Sequence, residues 1–562
     1  MSALDWTVLF GTLLLIVGYG VYKTKGSKNI ESYLKGDNSM KWWTIGLSIM
    51  ATQASAITFL STPGQAYNSG MGFIQFYFGL PIAMIILSIW VLPIYYKLKV
   101  YTAYEYLESR FDLKTRILGA FLFLIQRGLA AGITIYAPAI ILSSILGWPL
   151  VYTTVIIGSL VIIYTVSGGT KAVSQTQKHQ MIVMMGGMIV AGLFVVKLLP
   201  EDIGIVEATK IAGHLGKLEL INTEVDLENR YTLWTGLLGG LFVALSYFGT
   251  DQSQVARYLS GKSLTESRLG LMFNGLLKIP MQFVILFIGA LVFVFYQFNQ
   301  APVFFNEAAK DEVYLDVDQK EKYQAIEQQY SDLFEEKRRQ VQLLSTAEGE
   351  EIEGLKERIA VIHDQEEQLR DEAKAIIKAT NQDLETTDTD YVFITFVMDN
   401  LPKGIIGLLL AVIFSAAMSS TASELNALAS TSIIDIYKRN INKNGSDKHY
   451  LIASKLFTLF WGLVAVFFAT FAGLLDNLIQ AVNILGSIFY GTILGIFLTG
   501  FFIKYIKGNA VFVGAVVAQI VVLYFYFFSE MAYLWFNVLG CGLVIFSGLI
   551  IQYVKNSKTK SD

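Results

Sequence analysis

The most constraining feature of this sequence is a series of about thirteen long apolar segments separated by mostly short polar gaps. A helix needs roughly 20 mostly apolar residues to cross a bilayer, and each segment approaches or exceeds that length. The composition agrees, because 54% of the residues are hydrophobic, 16% are charged and the mean hydropathy is +0.50. We therefore predict an all-α membrane protein with about 13 transmembrane helices. The segments span about 5–22, 42–69, 74–96, 117–147, 150–166, 179–199, 232–250, 270–298, 404–432, 450–473, 477–501, 509–528 and 531–553.

The sequence excludes several kinds of chemistry. With Cys541 as its single cysteine, the chain can form no internal disulfide. The four histidines lie far apart, without the spacing of a zinc site, and no Walker motif is present to power a pump with ATP. We expect a protein that is not an enzyme and has no catalytic residues.

The basic residues predict the orientation of the chain. No basic residue precedes the first segment, whereas Lys23, Lys25 and Lys28 follow it, so we expect this segment to be retained with the N-terminus outside. Every second gap is then cytoplasmic, and these gaps hold most of the remaining lysines and arginines near the spans, as does the C-terminal tail. We predict a multi-pass protein of the cell inner (plasma) membrane, with a cytoplasmic C-terminus and membrane lipid but no nucleic acid as a partner. A bacterial and a eukaryotic membrane both stay open.

One long outer gap, at about 300–391, is rich in Glu, Lys, Gln and Arg. Apolar residues recur in it with heptad spacing in two arms, with residues 345–349 between them, which predicts an extracellular antiparallel helical hairpin. The hairpin is either a solvated spacer or a docking device for an extracellular partner. The apolar positions are Tyr323, Ile326, Tyr330 and Leu333 in the first arm, and Ile352, Leu355, Ile359, Ile362, Leu369, Ala373 and Ile376 in the second.

The second apolar segment is interrupted by polar residues between Ile49 and Tyr67, and it contains Pro63 and Gly64 where a helix would continue. Proline removes a backbone donor and clashes with the preceding turn, so we expect the helix to break at this pair. Irregular backbone at membrane depth is tolerated where it faces protein or a wet cavity, and transporters use it to bind ions. The segment is therefore predicted to form half of a binding site.

The ninth segment supplies a candidate for the other half. Ala416, Ser419 and Ser420 follow the spacing of one helix face. Two hydroxyls beside a small residue suit a hard cation, with main-chain oxygens such as those of Ala51 and Ala54 as further ligands. A packing interface, or hydroxyls bonded back to their own helix, is the alternative interpretation.

A second interrupted segment follows five segments later. It contains Gly239 and Gly240 and then the polar run 246–252. Two broken helices, each heading a block of five, are typical of a transporter built from inverted repeats. Four charged residues also lie within or beside apolar segments, where each is costly unless it is paired or hydrated: Arg127, Asp251, Lys278 and Glu424.

Five motifs then make the chain similar to the sodium:solute symporter family, which includes sodium/glucose, sodium/proline, multivitamin and monocarboxylate cotransporters. They begin at Ala51 (ATQASAITFL), Ser167 (SGGTKAV), Thr250 (TDQSQVARYL), Ser419 (SSTASELN) and Gly486 (GSIFYG), in family order. The resemblance implies a LeuT-like 5+5 inverted-repeat core, formed by spans two to eleven, and alternating access driven by sodium.

The apolar segments, the charged gap and the resemblance together predict a division of the chain. It comprises residues 1–40 (first transmembrane helix and cytoplasmic loop), 41–299 (first part of the transmembrane core), 300–391 (hairpin insertion), 392–507 (second part of the core) and 508–562 (last two transmembrane helices and a short cytoplasmic tail).

The family's sodium site falls on the carbonyls of Ala51, Ala54 and Ala416 and the hydroxyls of Ser419 and Ser420. Its sugar-binding positions carry Thr58, Tyr77 and a residue near Ala244 here, which makes a galactose pocket doubtful, while Lys278 and the gating Tyr247 are retained. Gln177 replaces an aspartate that supports a further sodium in some members. The resemblance thus implies one co-transported Na+.

The predicted function is sodium-coupled import of a small organic solute, such as a sugar, a monocarboxylate or a vitamin. Two alternatives stay open: a solute sensor or scaffold that does not transport, and an ion-uncoupled or proton-coupled transporter on the same fold. The hydroxyl pair Ser419 and Ser420 favours sodium.

Overall fold

The computed structural model describes residues 1–24, 39–382, 384, 386–471 and 478–561; the side chains of 17, 19–24, 144, 167–172, 175 and 559–561 are not described. Lys25 and Lys28, used above for orientation, lie outside the described residues. The α-helices are α1 (Ala3–Thr24), α2 (Trp42–Gln53), α3 (Ala56–Ser69), α4 (Leu80–Ile86), α5 (Leu92–Leu98), α6 (Glu105–Arg110), α7 (Leu113–Leu146), α8 (Leu150–Lys197), α9 (Ile205–His214), α10 (Gly240–Thr250), α11 (Gln252–Leu259), α12 (Leu264–Phe298), α13 (Glu307–Leu315), α14 (Val317–Thr346), α15 (Glu351–Thr380), α16 (Val392–Asn400), α17 (Ile405–Thr431), α18 (Asp447–Ala469), α19 (Leu478–Phe502), α20 (Gly508–Phe528) and α21 (Trp535–Ser561). Shorter 3₁₀ and π segments are Met71–Tyr77, Leu87–Val91, Thr235–Gly239, Thr389–Tyr391 and Ser432–Ile441.

The expected class, an all-α multi-pass membrane protein, is confirmed. Within the described residues, nine helical segments are long and apolar enough to cross a bilayer, and the bent pair α2 and α3 makes a tenth. Shorter apolar helices at Ala3–Ile16, Leu150–Val166 and Thr235–Thr250 occupy the other three expected positions. The exact count of thirteen stays a prediction.

Helix α8 differs from the expectation. Its backbone is helical from Leu150 to Lys197, through the gap expected between the fifth and sixth spans. Glycine lowers helix propensity by only about 1 kcal/mol per residue, so Gly168 and Gly169 do not suffice to end a helix. The side chains of the motif beginning at Ser167, up to residue 172, lie outside those that the structure describes.

The first broken helix breaks elsewhere than we expected. Helices α2 and α3 meet at an angle of 60° at Ala54 and Ser55, whose ψ values of 77° and 175° are not helical. Pro63 lies inside α3, so the prediction of a break at Pro63 and Gly64 was wrong. Gly64 has a packing role instead, because a Cβ there would clash with the main-chain oxygen of Thr389.

The second interruption lies at Asp251. The Thr235–Gly239 segment is a π-helix continuous with α10, so Gly239 and Gly240 do not break the helix. Asp251 has an extended backbone (φ −76°, ψ 119°), and its carboxylate accepts a hydrogen bond of 2.9 Å from the main-chain nitrogen of Ser253. The aspartate therefore ends α10 and caps α11.

Helix α17, which carries the serine pair, is buried along most of its length and packs against α1, α7 and α8. Its first turn is held by a residue of α1, since the Asp5 carboxylate accepts hydrogen bonds from the main-chain nitrogens of Gly404 at 2.6 Å and Gly407 at 3.3 Å. A carboxylate at a helix N-terminus binds unsatisfied N–H groups and opposes the positive end of the helix dipole. This contact fixes the N-terminal end of α17, about four turns before Ser419 and Ser420.

The charged insertion forms the expected helical hairpin. Helices α14 and α15 pack against each other and are joined by residues 347–350, close to the expected turn. Of the heptad residues, Leu333, Ile352 and Ile376 are only partly buried, and Phe334 and Ile377 are buried in their vicinity. The short helix α13 was not expected. The hairpin base contacts the core through Tyr67, whose ring lies 5.6 Å from that of Phe305.

Candidate functional site

The two halves of the expected cation site meet at the end of α2. The Ser419 hydroxyl donates to the main-chain oxygen of Ala51 at 3.3 Å. The Ser420 hydroxyl donates to the main-chain oxygens of Thr52 at 3.1 Å and Ala51 at 3.4 Å. These side chains are almost fully buried, so the hydroxyls and carbonyls form a dry cluster of neutral oxygens. Such oxygens are the ligands that a hard cation takes.

The other two expected ligands lie beside this cluster. Ala54 is the residue at which α2 ends, and its main-chain nitrogen still donates to Met50 at 2.7 Å. Ala416 is fully buried on α17, one turn before Ser419 and Ser420. Ser419 and Ser420 thus contact Ala51 directly, whereas Ala54 and Ala416 lie within one turn of these contacts along their own helices. Among the described residues, no group of three or more His, Cys, Asp or Glu could hold a metal ion.

Gln177 of α8 contacts the oxygen cluster and bonds residues of both α2 and α17. Its amide nitrogen donates to the hydroxyls of Ser423 at 2.9 Å and Thr52 at 3.0 Å, and to the main-chain oxygen of Ser419 at 3.4 Å. Its amide oxygen accepts from the hydroxyl of Ser48. The sequence singled out Gln177 only through the missing aspartate, because nothing in the sequence shows that its NH₂ group is surrounded by three oxygens.

A cavity of about 100 Å³, here called the transport cavity, lies beside the break. Thr58, Tyr77 and Tyr247, three of the expected substrate residues, line it, as does Ala244. The Tyr77 hydroxyl accepts from Gln282 at 2.9 Å, and the Tyr247 hydroxyl accepts from Gln254 at 2.7 Å. The two tyrosines are therefore held in place by glutamines of α12 and α11. Asn483 and Tyr490 of α19 also line the cavity. Asn483 was not identified from the sequence, and Tyr490 was included only as part of the motif beginning at Gly486.

Lys278, the fourth expected substrate residue, does not line the transport cavity. It is fully buried on α12, and its Nζ lies 5.6 Å from the centre of the Tyr77 ring. Its ammonium has no hydrogen-bond partner within the part of the chain that the structure describes. Lys278 therefore contacts Tyr77, which lines the cavity, and is not itself part of the lining.

Three of the four intramembrane charges form one cluster. Arg127 of α7 bonds the carboxylates of Asp251 and, at 3.0 Å, Glu424, and it also donates to the Tyr490 hydroxyl at 2.6 Å. The guanidinium lies 5.3 Å from the centre of the Tyr247 ring. Arg127 and Glu424 both line the transport cavity. The cluster joins four helices around one wall of the cavity, with one cation against two carboxylates.

Broken helices around a cavity, with an oxygen cluster at the break, define an ion-coupled secondary transporter. The sequence matches the sodium:solute symporter family over residues 33–314 and 373–521, so the chain belongs to this family. The protein is a sodium-coupled symporter, not an enzyme, and Na+ is its coupling ion.

Similar proteins are symporters for several solutes. The chain is 26% identical to the sodium/sialic acid symporter SiaT of Proteus mirabilis, over 97% of this chain and 94% of that protein. Over 48% of this chain and 44% of the relative, it is 34% identical to human sodium-coupled monocarboxylate transporter 1. A solved structure of a Na+-coupled sialic acid symporter, substrate-bound and outward-open, superposes with a TM-score of 0.76, 24% identity and 98% coverage of both chains. This likeness agrees with the LeuT-like fold.

Proposed function

We propose that this symporter imports a small organic acid together with one sodium ion. The observation that carries the proposal is Arg127, the one basic side chain among the described residues that line the transport cavity. A guanidinium binds a carboxylate through two parallel hydrogen bonds, better than any other side chain does. The names of the relatives support the same class of solute, since sialic acid and monocarboxylates carry a carboxylate.

A substrate carboxylate would compete for Arg127 with Glu424. Asp251 is fixed by its role at the start of α11, whereas Glu424 lines the cavity and has an oxygen, Oε2, without a hydrogen-bond partner in the described chain. We therefore assign Glu424 as the carboxylate that gives way when substrate binds. Glu424 lies about one turn beyond Ser420 and would then be free to attract sodium on its way out.

Sodium binding is proposed to involve the carbonyls of Ala51, Ala54 and Ala416 and the hydroxyls of Ser419 and Ser420. The ion would join the break to α17 and so favour the arrangement in which the transport cavity can bind substrate. Gln177 supports a ratio of one sodium per substrate, because its NH₂ group occupies the centre of three oxygens that could otherwise surround a second cation.

We propose that four residues take part in binding the substrate. Thr58 and Tyr77 would bind its polar groups, and Tyr247 would close the cavity as an inner gate. Lys278 would act through Tyr77, whose ring faces the buried ammonium. The cavity of about 100 Å³ suits a small substrate in this arrangement of the helices.

We propose that the N-terminus and the hairpin lie outside and that the C-terminus is cytoplasmic, in a cell inner (plasma) membrane. The positive-inside rule is the support for this orientation. We propose the division of the chain after residues 40, 299, 391 and 507 on the basis of the apolar segments, the charged gap and the family resemblance. An extracellular partner at the hairpin stays a prediction.

The test is uptake into proteoliposomes of matched acids and neutral analogues. Lactate with lactamide, pantothenate with pantothenol, and sialic acid with N-acetylmannosamine form such pairs. We expect one acid to accumulate when an inward sodium gradient is present. Its neutral analogue should not accumulate, and the acid should not accumulate in vesicles without sodium. Sodium-driven uptake of the neutral member alone would contradict the role of Arg127.

A further inference from the structure

A second cavity, here called the outer cavity, lies between the hairpin and the core. It has a volume of about 390 Å³ and is lined by the hairpin helices α14 and α15 and by the ends of α3 and α12. It shares no lining residue with the transport cavity. Its function is therefore a separate question from that of the transport cavity.

Most of the buried charges around the outer cavity neutralise one another. Lys337 of α14 donates to Glu366 of α15 at 2.6 Å. Arg370 donates to both oxygens of Asp388 at 2.9 Å and to the main-chain oxygen of Val303 at 2.9 Å. These ion pairs stabilise the hairpin. A ligand in the outer cavity would not have to neutralise their charges.

Lys217 is different, because it is the one lysine or arginine lining the outer cavity that forms no ion pair with a described residue, although Glu367 lies in the same lining. It donates to the main-chain oxygen of Asn68 at 2.6 Å, its Nζ lies 4.5 Å from the centre of the Phe293 ring, and it forms no ion pair with a described residue. Burial lowers the pKa of Lys217 to about 8, which still leaves most of the side chain protonated at pH 7. Its two remaining N–H donors and its charge are available to an anion.

Glu366 supplies an acceptor in the same cavity. Its Oε2 binds Lys337, whereas its buried Oε1 has no hydrogen-bond partner in the described chain. A buried carboxylate oxygen without a partner costs free energy that a donor on a ligand would recover. The rings of Tyr67, Phe293 and Phe334 add apolar wall.

We propose that the outer cavity is a second binding site, for a small carboxylate that also carries a hydroxyl or amino group. The carboxylate would bind Lys217, the hydroxyl or amino group would bind Glu366, and the body would pack on the aromatic wall. With Lys217 as the single cation of the lining outside an ion pair with a described residue, and with Glu366 and Glu367 in the same lining, the cavity favours a ligand with one negative charge over one with two. This site goes beyond the proposed transport of an organic acid and does not depend on it.

Occupancy of the outer cavity would tie the hairpin to the outer end of α3. Asn68 already donates to the Thr389 hydroxyl at 2.6 Å, and Gly64 lets the same residue approach closely. Along α3, Asn68 lies about 15 Å from Thr58 of the transport cavity. The ligand would therefore stabilise the contact between the hairpin base and α3, the helix that lines the transport cavity through Thr58.

The site can be tested by equilibrium binding of radiolabelled mandelate, an aromatic hydroxy acid, to the purified full-length chain in lipid nanodiscs with choline in place of sodium. We expect saturable binding that Lys217→Gln weakens about tenfold or more, the loss expected for a hydrogen bond to a charged group. Lys374→Gln is the matched control. Lys374 lines the same cavity but pairs with Asp371 at 2.8 Å, so its loss should change the affinity less than about twofold.

Two further comparisons keep the result clear. Glu366→Gln should weaken binding of mandelate more than that of phenylacetate, which lacks the hydroxyl. Lys310→Gln should leave binding unchanged, because Lys310 pairs with Glu327 at 2.6 Å and does not line the outer cavity. Wild-type protein that does not bind mandelate, Lys217→Gln protein that binds it normally, or loss of binding in Lys310→Gln would each overturn the proposal. None of these results bears on sodium-driven uptake, which is measured separately.

Discussion

The Ser419 hydroxyl donates to the main-chain oxygen of Ala51 at 3.3 Å, and this contact joins two segments that lie 368 residues apart in the sequence. It places a hydroxyl of an intact helix against a carbonyl at the end of a broken one. A cation bound there would be sensitive to any movement between α17 and α2. The sodium site is therefore proposed to sit at the junction that alternating access has to open and close.

Gln177→Asp is expected to raise the number of sodium ions per substrate from one to two. The change replaces an NH₂ donor, which binds Thr52, Ser423 and Ser419, by a carboxylate among the same oxygens. A carboxylate among neutral oxygens attracts a cation. The reversal potential of sodium-coupled flux in proteoliposomes measures the ratio. Gln177→Asn is the neutral control, and an unchanged ratio in the aspartate variant would contradict this role of Gln177.

Tyr247→Ala is expected to weaken retention of substrate, with KM raised about tenfold and folding intact. The ring lines the transport cavity and packs on Phe248 at 4.9 Å between ring centres, so its removal opens the cavity. Tyr247→Phe keeps the ring and loses the bond to Gln254, and we expect a smaller effect. Uptake kinetics give the comparison, and normal kinetics in the alanine variant would remove the gate assignment.

Glu424→Gln is expected to lower KM for an acidic substrate, by about threefold to tenfold. The change removes one of the two carboxylates that compete for Arg127 and leaves the guanidinium less neutralised. Glu424→Asp keeps the charge and serves as the control. A KM that is unchanged or higher in Glu424→Gln would show that Arg127 does not receive the substrate carboxylate.

Asp390→Asn is expected to remove a pH dependence of stability. Asp390 lies in the turn between the hairpin and α16, and burial raises its pKa from 3.8 to about 6. Its carboxyl accepts from the main-chain nitrogen of Leu478 at 3.1 Å. Because the folded state favours the protonated form, this group stabilises the fold at pH 4 and that contribution is lost as the pH rises through 6.

The thermal midpoint Tm, measured at pH 5 and pH 7.5, tests this expectation. The difference between the two values should be smaller in Asp390→Asn than in the wild-type chain, and the variant should be the more stable of the two at pH 7.5. An equal pH dependence in both proteins would assign the effect to other groups.

The local features of the site were visible in the sequence. The apolar segments showed the spanning helices, and the spacing of Ser419 and Ser420 showed a polar face within one helix. Helical periodicity and segment length depend only on neighbouring residues, which is why they could be recognised. The serine face of the ninth apolar segment could be interpreted as an ion site only together with the broken second segment. The family resemblance indicated that these two segments form one site.

The remaining features depend on tertiary contacts. Pro63 is a strong local signal for a break, yet it lies inside α3 and the chain bends at Ala54, although alanine favours helices. The pairing of Arg127 with Asp251 and Glu424 joins residues 124 and 297 positions apart, which no local pattern shows. Likewise, no local pattern shows that Lys278 contacts the Tyr77 ring and does not line the transport cavity.

The most direct test of the sodium site is equilibrium binding of radiolabelled sodium to the purified wild-type chain and to the double variant Ser419→Ala with Ser420→Ala. Ser415→Ala is the matched control, because this buried serine of α17 has a hydroxyl without a partner in the described chain. We predict saturable binding by the wild type and by Ser415→Ala, and its loss in the double variant. Sodium binding of normal affinity in the double variant would contradict a site between α17 and the end of α2.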